Sequence, residues 1–184
     1  PFVFSKKGTI HIINLEKTKQ GLADALNEIQ KVVRKNGTIL FVGTKVQHKD
    51  LIQELAAEFG FPYVKEKWIG GLLTNFETIK QRVAYFKEFR QKFSSSDFEK
   101  YTKKEQHSME VELAKLEKKF GGIENMENLP DMIFISDIIK DKLALKEAKK
   151  HNIPVVGVVD TNANPDLVDF PIPANDDAYS SMKY

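Results

Sequence analysis

Three short apolar runs, Ile39-Leu40-Phe41-Val42, Met132-Ile133-Phe134-Ile135 and Pro154-Val155-Val156-Gly157-Val158-Val159, constrain this chain more than anything else in it. Runs of this length without polar alternation mark strands covered on both faces, as in a parallel sheet. Stretches with helical apolar spacing lie between them. Strands alternating with helices require right-handed crossovers and give a doubly wound sheet.

The elements follow in order. Phe2-Val3-Phe4 and Ile10-His11-Ile12-Ile13 flank Ser5-Lys6-Lys7-Gly8, which reads as the basic tip of a hairpin. Asn14 can cap a helix running to about Arg34, with Leu15, Leu22, Ala25, Leu26, Ile29 and Val33 inward. A second helix is expected over Gln47–Phe59, with Leu51, Ile52, Leu55 and Phe59 on its apolar face, and Gly60 stops it before the strand Phe61-Pro62-Tyr63-Val64. Later come a helix over Asp141–His151, with Leu143, Ala144 and Ala148 inward, and a short edge strand Phe170-Pro171-Ile172-Pro173, whose prolines cannot donate to a central ladder. Asn175-Asp176-Asp177 signals the start of one more helix.

One segment breaks the alternation. Phe76, Ile79, Val83 and Phe86, and then Met109, Leu113, Leu116 and Phe120, form two apolar stripes with steps of three and four, separated by the polar Ser94-Ser95-Ser96-Asp97. They predict an antiparallel helical hairpin, a coiled coil, over residues 76–120, inserted in an α/β body of residues 1–75 and 121–184. At about 1.5 Å per residue each arm would reach roughly 25–30 Å. The joint between sheet and arm is Tyr63–Phe76, which holds the only tryptophan, Trp68. Gly70 and Gly71 can take positive φ or allow a close approach, and Thr74 or Asn75 can cap the helix starting near Phe76. Trp68 reads as an anchor of this hinge ahead of a stacking surface.

Charge distribution bears on partners. The net +2 divides into +3 for residues 1–79, +4 for 80–120 and −5 for 121–184, so a polyanion would meet the first two-thirds favourably. The hairpin carries Lys80, Arg82, Lys87, Arg90, Lys92, Lys100, Lys103, Lys104, Lys115, Lys118 and Lys119, which points to a partner for it. Phosphate contacts are expected from Lys6, Lys7, Lys45, Lys65, Lys67, Lys80 and Arg82, with the arm as a second contact surface. With no cysteine there is no disulfide framework or cysteine-based zinc site. No run approaches the roughly 18 apolar residues of a membrane span.

Enzyme-like features are fewer. Gly43-Thr44-Lys45 sits where phosphate cradles lie, but the Gly-x-x-x-x-Gly-Lys-Ser/Thr spacing is missing, so it reads as a strand-to-helix turn with an exposed lysine. Asp137, Asp160, Asn162, Asn164, Asp166 and Asp169 follow strand ends, where such residues can hold magnesium, which gives an alternative reading as a magnesium-dependent phosphotransferase. Asp and Asn next to prolines are also turn and cap formers, and that structural role is the preferred one. His11, His48, His107 and His151 are scattered, without metal-ligand spacing.

The segments Gly8-Thr9-Ile10-His11-Ile12-Ile13-Asn14-Leu15-Glu16-Lys17-Thr18, Leu40-Phe41-Val42-Gly43-Thr44-Lys45 and Trp68-Ile69-Gly70-Gly71-Leu72-Leu73-Thr74-Asn75-Phe76 resemble the ribosomal small-subunit protein two family, of bacterial and organellar type. So do Phe120-Gly121-Gly122-Ile123, Leu129-Pro130-Asp131, Ile153-Pro154-Val155, Asp160-Thr161-Asn162, Asn164-Pro165-Asp166 and Pro173-Ala174-Asn175-Asp176-Asp177-Ala178, in the family's order. The resemblance covers nearly the whole chain. It implies a flavodoxin-like body with a projecting hairpin, bound to small-subunit ribosomal RNA near the head–body junction, in the cytoplasm or an organelle. Neighbouring ribosomal proteins, including the large single-strand RNA-binding protein one, are implied partners, and no cofactor or catalysis is expected. Against the family pattern the chain is expected to be shortened at both ends.

Overall fold

A computed structural model describes residues 2–8, 10–94 and 101–183, except for the side chains of Lys7 and Ile10. Five strands form a parallel sheet in the order β4-β3-β5-β6-β7, where β3 is Ile39–Val42, β4 Tyr63–Val64, β5 Met132–Ile135, β6 Val155–Val159 and β7 Phe170–Pro173. This is the flavodoxin-like order, with the topological switch point between β3 and β5. The proline-bearing β7 lies at one edge, as its missing donors require. A separate antiparallel ribbon joins β1 (Val3–Lys7) to β2 (Ile10–Ile13). Lys6 and Lys7 therefore lie within a strand and not at the expected tip, because Gly8, at φ 65°, makes the turn tighter.

Alternate side chains of the buried strands serve two cores. Leu40, Val42, Ile133, Ile135, Val155 and Val159 pack with Trp68, Leu72, Phe86 and Phe120, whereas Ile39, Met132, Val156 and Ile172 pack with Ala25 under α1 (Leu15–Arg34). Helix α1 starts where Asn14 Oδ1 accepts the amides of Glu16 and Lys17, at 2.9 and 3.4 Å. Its inward face is Leu22, Ala25, Ile29 and Val32. Leu15, Leu26 and Val33, expected inward, are exposed, because the helix presents only a narrow stripe to the sheet. The same correction applies to Phe59 at the end of α2 (Lys49–Phe59), where Ile52 and Ala56 are buried, and to Leu143 in α5 (Lys142–Lys150), where Ala144, Leu145, Glu147 and Ala148 are.

Helices α3 (Phe76–Phe93) and α4 (Lys103–Phe120) are 18 residues each. Phe86 meets Phe120 with ring centroids 6.5 Å apart, and Arg90, one turn on, reaches back to Glu117 at 3.8 Å, so the two helices run antiparallel. Ile79, Val83, Phe86 and Phe120 belong to the main core, while no other described residue of either helix is buried. Thr102 and Glu105 form a capping box at the start of α4. The expected tip falls, after Ser94, outside the described residues.

After α4 the chain passes β4 at very close range. A Cβ built on Gly122 would stand 2.2 Å from the Tyr63 carbonyl oxygen in β4, where only backbone could yield. Gly122→Ala is expected to cost about 1–3 kcal/mol, measured as a lower urea midpoint with the m-value unchanged.

Candidate nucleic-acid interface

The stretch 68–74 is organised by a residue far from it in sequence. Glu147, 5 % exposed on the inward face of α5, takes five hydrogen bonds from the stretch 68–74. Trp68 Nε1–H and Gly71 N–H donate to Oε1 at 3.0 and 2.9 Å; Leu73 N–H, Thr74 N–H and the Thr74 hydroxyl donate to Oε2 at 3.1, 3.2 and 3.2 Å. Burial alone would raise the Glu147 pKa, but these donors outweigh it and hold the carboxyl below its usual range. Gly71 sits at φ 87°, which its missing Cβ permits. Gly70 is different: its φ is not positive and a Cβ would meet only Leu143, at 3.8 Å. The expected caps also differ. Thr74 serves Glu147, and Asn75, at the N-cap position, accepts from the Thr78 hydroxyl instead of from helix amides. Trp68 is buried, with its N–H engaged.

Lys45 is not disposed as an exposed phosphate ligand. At the switch point its ammonium lies 2.6 Å from Asp177, 2.9 Å from Asp176 and 3.4 Å from Asp137. Burial works against its charge, but Asp177 and Asp176 outweigh that and raise its pKa. A phosphate there would compete with three carboxylates, so Lys45 is not the exposed lysine expected after this strand. Beside it His48, fully buried, bonds Ser136 Oγ through Nδ1 at 2.8 Å and the Asp176 carbonyl oxygen through Nε2 at 2.7 Å. A carbonyl only accepts, so Nε2 carries a proton and donates it to Asp176. Ser136 is also fully buried and therefore closed to substrate.

The other acidic strand ends have structural partners. Asp137 Oδ1 accepts the amides of Ile139 and Lys140, Asp141 takes both the Thr44 amide and hydroxyl, and Asp169 takes the Val155 amide. Asn164 caps the short turn Pro165–Leu167. Asp160, Asp176 and Asp177 bring carboxylate oxygens within 4.8 Å of one another, but the Lys45 ammonium already binds two of the three. Lys45 thereby offsets part of the negative charge of this group from within the chain.

The basic residues divide into two kinds. Lys80 donates to the Glu127 carbonyl oxygen at 3.0 Å and Lys65 donates to Gln53 Oε1, so both are tied to the protein. Lys6 is exposed on the N-terminal ribbon, and the side chain of Lys7 lies outside what the structure describes. Lys67 and Arg82, by contrast, both line a cleft of about 450 Å³ between the stretch 66–70 and the feet of α3 and α4. Lys115, Lys118 and Lys119 complete its wall. Its one acidic lining residue, Glu66, is paired with Lys49, which holds the carboxyl below its usual range. Among the described residues, no ion pair within 4 Å engages any of the five cations.

Sequence comparison places this arrangement in a family. The family model described as Ribosomal protein S2 matches residues 1–184, the whole chain. The chain belongs to the ribosomal protein S2 family. It is 43% identical over 182 residues to a protein of Dehalococcoides mccartyi named small ribosomal subunit protein uS2, a match that spans 99% of this chain and 74% of that protein. Within this S2-family chain, the cleft cations stand far apart in sequence, at 67, 82 and 115–119, and helical packing brings them together. Glu147 had one signal in the sequence: a carboxylate on the side of the helix that carries Ala144 and Ala148.

Proposed function

We propose that this S2-family chain is a non-catalytic structural constituent of the small ribosomal subunit that binds its ribosomal RNA near the head–body junction. Family membership and the likeness to a small-subunit protein uS2 support the setting. The observation that carries RNA binding is the cleft at the foot of α3 and α4, where five cations converge without a free countercharge. Such a surface attracts a phosphate backbone by releasing its counterions, which is strongly salt-dependent. Residues 76–120 act as a unit set by the hinge at Trp68, Gly71 and Thr74, with Lys6, Lys7, Lys67 and Arg82 as RNA-facing groups outside α4. Neighbouring small-subunit proteins, the large single-strand RNA-binding protein one among them, are the protein partners, and the ribosome of the cytoplasm or of an organelle is the location.

The chain should co-sediment with small subunits in a sucrose gradient, and absence from that peak would overturn the reading. Replacing Arg82, Lys115 and Lys118 by alanine is expected to weaken binding to small-subunit RNA. It should also flatten the log–log salt dependence by about 0.7–0.9 for each phosphate no longer neutralised. Titrations from low to moderate salt measure both effects. An unchanged slope would show that the cleft does not touch RNA.

A further inference from the structure

We infer that Tyr85 is a base-stacking residue, and that together with the adjoining cationic cleft it takes an unpaired nucleotide of RNA. The inference rests on the RNA-binding reading above and adds the class of nucleotide recognised. Tyr85 lies on α3 three residues after Arg82 and four before Phe89, and residues at these spacings are neighbours on a helix surface. The residue is 54% exposed, on a helix whose other aromatic residues, Phe76, Phe86, Phe89 and Phe93, are buried or half-buried. The ring leans on Phe89, with centroids 6.0 Å apart and planes at 33°, and Phe89 is half-buried. Phe89 thus steadies a ring that remains open to solvent.

The arrangement pairs two chemistries within one helical turn. Arg82 lines the cleft that Lys115, Lys118 and Lys119 share, where a phosphodiester would sit, and Tyr85 offers the next turn a π face. Stacking requires a base out of its duplex, because a paired base has both faces covered by its neighbours. Trp68 cannot fill this role: it lines the cleft but is 7% exposed, and its indole N–H is held by Glu147. Any base has a π face, so the site distinguishes unpaired from paired nucleotides and not one sequence from another. Glu88, three residues on, keeps a negative charge beside the ring, so the phosphate is directed to the Arg82 side.

Fluorescence anisotropy with two probes, single-stranded oligoadenylate and a blunt-ended RNA duplex of equal length, separates the possibilities in the full chain. Tyr85→Leu is expected to weaken oligoadenylate binding by roughly five- to 150-fold, the equivalent of about 1–3 kcal/mol of stacking, with the salt slope unchanged. Duplex binding should move by less than about twofold, and Tyr85→Trp should retain single-strand affinity. Unchanged circular dichroism and thermal melting would show that the fold is intact in both variants. If Tyr85→Leu bound oligoadenylate as tightly as the wild type, or lost both probes equally, the stacking role would be overturned while the RNA-binding reading stood. A wild-type chain that bound neither probe nor small-subunit RNA would overturn both.

Discussion

Glu147→Ala is expected to destabilise the fold by about 3–5 kcal/mol, a large share of the stability of a domain this size. The substitution strips an acceptor from the Trp68 indole, from three backbone amides and from the Thr74 hydroxyl. A buried donor left unpaired costs about 1–3 kcal/mol. The five are not additive, because they share one carboxylate and water can enter the space left behind. Glu147→Gln should fall between, since its amide nitrogen cannot accept and loses the bonds on one side. Urea unfolding followed by Trp68 fluorescence measures the change, and a loss under about 1 kcal/mol for Glu147→Ala would contradict it. The pH dependence has a definite sign. The folded-state pKa of Glu147 lies below its ordinary value of 4.5, so its contribution is full above that value and is lost as pH falls through the lowered one. Glu147→Gln should therefore flatten the acid limb of the stability curve and leave the neutral range parallel to the wild type.

Lys45→Met is expected to cost about 2–4 kcal/mol and to loosen the segment around Asp176 and Asp177. Removing the ammonium leaves Asp137 and Asp176, with side chains 10% and 8% exposed, close together and without their cation. Breaking a buried pair by deleting one partner costs about 3–5 kcal/mol, and partial exposure of this cluster reduces that. Asp176 already titrates high because of its burial, despite Lys45, so in the variant it should take up a proton at still higher pH. For Lys45 itself the pKa is raised, so its contribution is present below the ordinary lysine value of 10.5 and is lost as pH rises through the folded value. Limited proteolysis should cut the variant near residues 174–183 faster than the wild type, while Lys45→Arg should largely restore resistance. Equal cleavage rates for Lys45→Met and wild type would sink the prediction.

Both residues show where one-dimensional reading stops. Lys45 looked like an exposed cation after a strand, because its carboxylate partners Asp176 and Asp177 lie about 130 residues away and become neighbours only when β3, β5 and β7 end on one edge. Glu147 looked like one polar residue in an amphipathic helix, and its donors lie 73–79 residues upstream. Thr74 and Asn75 were legible as cap types, but the hydroxyl of Thr74 was claimed by that distant carboxylate. Leu15, Leu26, Val33, Phe59 and Leu143 show the complementary error. Helical periodicity identifies an apolar face, but how much of it meets the sheet depends on what lies opposite.

From the sequence alone came the strand runs, the α1 boundary at Asn14, the edge position of β7, the paired stripes of α3 and α4, and the family resemblance. The structural features among these are local: they follow from apolar periodicity, capping and the missing donor of proline, which act within a few residues. The tertiary structure alone decided which cations converge and which are neutralised. Coulomb and hydrogen-bond energies depend on distances between residues that the chain separates by dozens of positions, and only the packed sheet and helix pair set those distances.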